Sequence, residues 1–225
     1  MSGARALVAA AALVLAVAAC GAAPAAGGGP TTARPADTVS AGRRAVPDTL
    51  AGRLGPTGHG SLRQDEVAIQ LQTAALQVRA IPLDEAVIRT LAPDSERALR
   101  DLVASRRARV DSVARRAGVP SVRVWYVTFI GLEPETRYSP MDLLVTSAGR
   151  EFRPLEALPL TRGFGAQRVG QREMQSALYV FDGALDVAQP VVVTYEGAQS
   201  AAWGQTLRRV ERERALVRSR AAARP

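Results

Sequence analysis

The chain has 225 residues, a formal net charge of +8 and 29 basic residues, every one of them arginine. It has no lysine or asparagine, few aromatics, one cysteine and one histidine, and a bias toward GC-rich codons accounts for the arginine without invoking nucleic acid. Several chemistries are excluded at once: without lysine there is no serine–lysine dyad or Schiff base, a zinc site built on His and Cys lacks ligands, and no Gly-x-x-x-x-Gly-Lys phosphate loop exists. No cofactor is expected.

At the N-terminus, Arg5 precedes an apolar run from Ala6 to Ala19. At about 14 residues it falls short of the roughly 20 that cross a bilayer, so residues 1–19 read as a signal peptide. Val17-Ala18-Ala19-Cys20 closes it. This stretch resembles the lipobox of bacterial lipoproteins, and the resemblance covers residues 1–21 only. It implies that the Cys20 sulfur receives a diacylglycerol and that cleavage leaves Cys20 as the new N-terminus, with the lipid bilayer as a partner. Gly21 is not the aspartate associated in some bacteria with inner-membrane retention. The implied address is the cell envelope, on the periplasmic leaflet of an outer membrane where the organism has one. A standard secretory signal with an Ala-x-Ala site is the alternative. An envelope address removes nucleic acid as a partner and leaves envelope proteins, lipids or glycans, whose carboxylates and phosphates suit arginine.

Residues 20–61 are rich in Gly, Ala, Pro and Thr and bury little apolar surface, which predicts a disordered tether. His59 lies in it and reads as solvated. A single globular domain is expected from 62 to 225. Val67, Ile69 and Leu71, then Leu76, Val78 and Ala80, alternate with polar residues as two strands joined near Thr73-Ala74, with Pro82 as a stop. Residues 84–91 read as a turn of helix. Pro93-Asp94-Ser95-Glu96 supplies an N-cap for a helix carrying Leu99, Leu102, Val103, Val110 and Val113, which ends at Gly118. Arg106, on the same face, is expected to run along the edge of the core.

Val122 to Ile130 alternates apolar side chains on both faces and predicts an interior strand. Residues 141–146 and 152–158 flank a hairpin signal at Ser147-Ala148-Gly149-Arg150, and 177–181 and 191–195 read as further strands. A C-terminal helix opens at Ser200 with Trp203, Leu207, Val210 and Val217 on one side. Its other side, Arg208 to Arg214 and Arg218 with interleaved Glu211 and Glu213, reads as solvated. Seven strands and two flanking helices predict a mainly β, α+β fold: an immunoglobulin-like antiparallel β-sandwich with an inserted helix and a C-terminal helix. Trp125 and Trp203 are expected in the core.

Acylated Cys20 leaves no thiol nucleophile, and His59 in a tether leaves no imidazole for a serine triad. Glu133, Glu135 and Asp142 flank the loop after the central strand. They suit ordinary turn chemistry, or else a glycosidase pair or a calcium site. The segment Thr161 to Arg172 contains Arg162, Arg168 and Arg172 and no acid until Glu173. It reads either as an anion or partner contact or as a structural crossover whose arginines pair with acids of the domain. The expected function is therefore a membrane-anchored envelope lipoprotein with a non-enzymatic binding or scaffolding domain. The alternative is a carboxylate-dependent hydrolase of an envelope polymer.

Overall fold

A computed structural model of the chain describes residues 54–223. Cys20 and the lipobox-like stretch lie outside the described residues. Among the described residues the fold is mixed α and β, with four α-helices and antiparallel ladders in every sheet. Five strands form the larger sheet, in the order β1 (Ile69–Gln72), β2 (Leu76–Pro82), β3 (Val122–Gly131), β9 (Met174–Asp182) and β7 (Glu156–Pro159). The second sheet has the order β11 (Ala198–Ser200), β10 (Val191–Tyr195), β5 (Leu144–Ser147) and β6 (Arg150–Phe152), and β4 (Thr136–Arg137) pairs with β8 (Arg168–Val169).

The inner strand β3 lies between β2 and β9, in register Ala80↔Val127↔Ala177 and Pro82↔Trp125↔Tyr179. One face carries Trp125, Val127 and Phe129, all fully buried. Phe129 stacks on Tyr138 at 4.6 Å and meets Tyr195 of the second sheet edge-on at 5.3 Å, so aromatic rings join the two sheets. The opposite face carries Val122, Val124, Tyr126 and Ile130, which are only half-buried. Helix α3 (Pro93–Ala117) covers part of that face. Its Leu99, Val110 and Val113 are buried, and Arg116 pairs with Glu156 of β7, in register with Val180 and Val124.

Local chemistry explains most boundaries. Ala148 and Gly149 both take positive φ, 48° and 75°, the two-residue turn that matches strand twist. Gly118, at φ 67°, caps α3 in the left-handed conformation. Corrections are also local. The N-cap of α3 is Ala92, with Pro93 at the first helical position and Asp94 and Glu96 in the first turn. Val67 ends a short helix α1 (Gln64–Val67) instead of opening β1. The strand expected over 152–158 is broken: β6 and β7 belong to different sheets, and Pro154, which has no N–H to donate, lies between them. Residues 198–200 form β11 after a hairpin turn at Glu196-Gly197, so helix α4 (Trp203–Ala222) begins later than Ser200.

Helix α4 buries Trp203, Thr206, Val210, Glu213 and Val217 at alternating spacings of three and four. Trp203 donates its Nε1–H to Val187 O at 2.8 Å. Glu213 therefore does not belong to a solvated face. Its carboxylate, 5% exposed, accepts the N–H and hydroxyl of Ser61 at 2.9 and 2.8 Å and an Arg220 N–H at 2.6 Å. Glu96 of α3, 3% exposed, accepts Gly58 N–H at 2.8 Å. The packed part thus reaches back to Gly55, ahead of the expected start at Leu62: Gly55 is buried beside Val217, and two buried carboxylates hold the Gly58 and Ser61 amides. His59 is half-buried, and its carbonyl accepts an Arg220 N–H.

Candidate functional site

The segment 161–172 is built into the fold. Residues Arg162–Ala166 form a 3-10 turn that buries Phe164 against Phe129, Tyr138 and Tyr179. Tyr138 donates its hydroxyl to Phe164 O at 2.9 Å, and burial pushes this phenol up to about 12. Gln167, at φ 53°, ends the turn and lets β8 pair with β4. Farther on, Arg172 donates its N–H to Gly131 O at 2.8 Å. Gly131 is required there, since an added Cβ would lie 2.2 Å from Gly170 O.

This scaffold places arginines outward. Arg162, Arg168 and Arg172 are all exposed, and among the described residues none has an ion-pair partner, unlike the structural alternative in which they pair with acids of the domain. The β4–β8 register sets Arg168 directly opposite Arg137. Like charges facing across an antiparallel pair repel, and Arg137 too is exposed and without an ion-pair partner among the described residues. The two line a cleft of about 380 Å³ with Tyr138, Ser139, Gln167 and Glu196. Below it, Ser139 donates its N–H to Tyr195 Oη at 3.0 Å, and burial raises the Tyr195 phenol well above its ordinary value. The cleft therefore gathers two cations and one carboxylate, Glu196, whose charge adds to burial in raising the Tyr195 phenol. Arg162 and Arg172 do not line this cleft. Nothing local marks Arg137 in the sequence, because a two-residue strand has no periodicity to read.

The carboxylates are arranged otherwise. Glu133, Glu135 and Asp142 are exposed around the turn after β3, with Glu135 at φ 51°, and none lines either this cleft or the one beside α3. A second cleft, about 480 Å³, lies between α3 and the end of the five-stranded sheet. Its acids are each occupied: Asp84 by Arg123 at 2.9 Å, Asp111 by Arg107 at 3.3 Å, and Glu85 by Arg100 and Arg89 at 2.8 and 2.9 Å. Burial alone would raise the Glu85 carboxyl, but hydrogen bonds and charge from Arg100 and Arg89 outweigh it and hold the group below its ordinary value. Among the described residues no three His, Cys, Asp or Glu side chains gather to hold a metal ion, and no helix is long and apolar enough to cross a membrane. No family model matches the chain, and neither the curated proteins nor the solved structures contain a significant match.

Proposed function

We propose that this chain is an envelope lipoprotein, anchored through acylated Cys20, whose domain binds or scaffolds an acidic envelope component without catalysing a reaction. The domain is read as a sandwich of immunoglobulin-like character, supported by the ring contact between Phe129 and Tyr195 of the two sheets. One observation carries the binding function: Arg137 and Arg168 face each other in the lining of a cleft with no ion-pair partner among the described residues. An incoming carboxylate or phosphate relieves that repulsion and accepts the planar donors of both guanidinium groups.

The address and the binding are tested separately. Metabolic labelling with an alkyne fatty acid marks the wild-type protein and leaves the Cys20→Ser variant unlabelled; equal labelling overturns the anchor. Full-length protein binds a fluorescent poly-glutamate probe with an affinity that falls with salt, and Arg137→Gln with Arg168→Gln weakens it about tenfold or more. An unchanged affinity overturns the cleft as the contact.

A further inference from the structure

The helix-covered face of the five-stranded sheet is only half covered. The registers place Arg79, Thr128 and Ser176 side by side across β2, β3 and β9, with Ile81, Tyr126 and Leu178 in the next row. Val124, Val180 and Glu156, where Arg116 of α3 pairs, lie two residues farther along the strands. The uncovered part holds a pocket of about 230 Å³ lined by Arg79, Ile81, Tyr126, Thr128, Met174 and Ser176, closed at its ends by α1 and the segment after β7. It shares no lining residue with the Arg137–Arg168 cleft.

Its polar groups are unsatisfied in one sense only. The Arg79 side chain has neither an ion pair nor a hydrogen bond among the described residues, and its Nε is buried without a partner. A guanidinium is charged at every working pH, so it cannot escape by deprotonating as a buried lysine does. The side-chain hydroxyls of Tyr126, Thr128 and Ser176 also make no hydrogen bond to another described group. No carboxylate lines the pocket. One wall is apolar, with Ile81, the Tyr126 ring and Met174, whose 60% exposure makes it one of the few large apolar side chains left in water.

From this arrangement we infer that the pocket binds the carboxylate end of a small apolar-stemmed ligand. Arg79 receives the carboxylate through its fork of N–H donors, the Thr128 and Ser176 hydroxyls donate beside it, and Met174 with Ile81 covers the stem. Charge selects the anion. One guanidinium balances one carboxylate, whereas a phosphate monoester carries about −1.5 to −2 at neutral pH and would keep an unneutralised excess. Size selects the ligand: the pocket is smaller than the roughly 300–1,000 Å³ of sites for drug-sized molecules, so an end group or a short chain fills it.

The test uses the full-length protein in a neutral alkyl-maltoside micelle and follows the Arg79 Nε–H resonance, assigned by its loss in Arg79→Lys. Hexanoate is the free-acid probe, and an acetylated Ala-Ala-Leu peptide with a free carboxylate is the chain-end probe. Hexylamine, methyl phosphate and the amidated peptide are the controls. The Arg79 signal shifts and saturates with one or both carboxylate probes by about 10 mM, as a Kd near 1 mM requires, and which of the two binds tells free acid from chain end. Arg79→Lys, which keeps the charge and loses the fork, weakens binding about tenfold or more, read by ligand-observed NMR. Thr128→Val weakens it less and serves where an Arg79 variant loses its fold. Absence of saturation with both carboxylates, tighter binding of methyl phosphate, an equal response to hexylamine or the amidated peptide, or unchanged affinity in both variants overturns the inference.

Discussion

The arginines paired with acids around two of the helices and those of β2, β4 and the 161–172 segment are chemically identical, yet the fold treats them oppositely. Around α2 (Glu85–Ile88) and α3, Arg89 and Arg100 converge on Glu85, Arg100 also reaches Glu96 at 3.1 Å, and Arg107, Arg116 and Arg123 each have a carboxylate. In the other group, Arg79 faces hydroxyls, Arg137 faces Arg168, and Arg162 and Arg172 face solvent, none with an ion pair among the described residues. Helices bring i and i+4 together, so an acid placed one turn away compensates locally, as in Arg107–Asp111. A strand offers only what its neighbour places opposite. A net charge of +8 therefore says little about where an anion is received; what matters is which cations the fold has left uncompensated.

The largest effects are expected where a buried carboxylate is compensated. Glu213→Ala strands the Ser61 amide and hydroxyl and removes the carboxylate beside Arg220, and it costs about 2–3 kcal/mol in chemical denaturation. A loss within about 0.5 kcal/mol would mean that the segment 54–61 is not held there. Glu85→Gln has a smaller effect, below about 1 kcal/mol, because both the carboxylate and its arginine partners keep contact with solvent. Its pH dependence fixes the sign. The folded carboxyl lies below its ordinary value, so its contribution is present above the usual carboxylate range and is lost as pH falls through the folded value. Wild type and Glu85→Gln should converge in melting temperature at acid pH; a difference that grows there contradicts the ion-pair account. Smallest of all is the effect of Arg162→Gln, Arg168→Gln and Arg172→Gln together, within about 0.5 kcal/mol, because these exposed side chains have no ion pair to lose.

Much of the frame is legible in the sequence, wherever a local rule governs. The alternation of Val122 to Ile130, the apolar stripe from Leu99 to Val113, the turn at Gly149 and the stop at Gly118 each follow from periodicity or from a φ that glycine accepts. Trp125 and Trp203 are fully buried, as their apolar neighbours imply. What escapes reading is long-range. Phe164 looks like the one aromatic in a loose glycine-rich loop, yet it is an anchor of the aromatic cluster because Phe129, Tyr138 and Tyr179 arrive from other elements. Glu213 looks like one more charge on a charged helix, and only Ser61, far back in the chain, makes it a buried acceptor. Arg137 and Arg79 gain their meaning from what lies opposite them across a ladder, which no local pattern records.

Binding follows uncompensated charge and not net charge. Full-length wild type, the Arg162→Gln/Arg168→Gln/Arg172→Gln triple and an Arg97→Gln/Arg107→Gln/Arg116→Gln triple on α3, whose side chains meet Asp94, Asp111 and Glu156, carry this test, since both triples remove the same formal charge. In a poly-glutamate titration at about 0.15 M salt, where screening acts over about 8 Å, the segment triple should lose most of the affinity and the helix triple little. Equal losses would show that net charge alone governs binding, and no loss from either would contradict the claim outright.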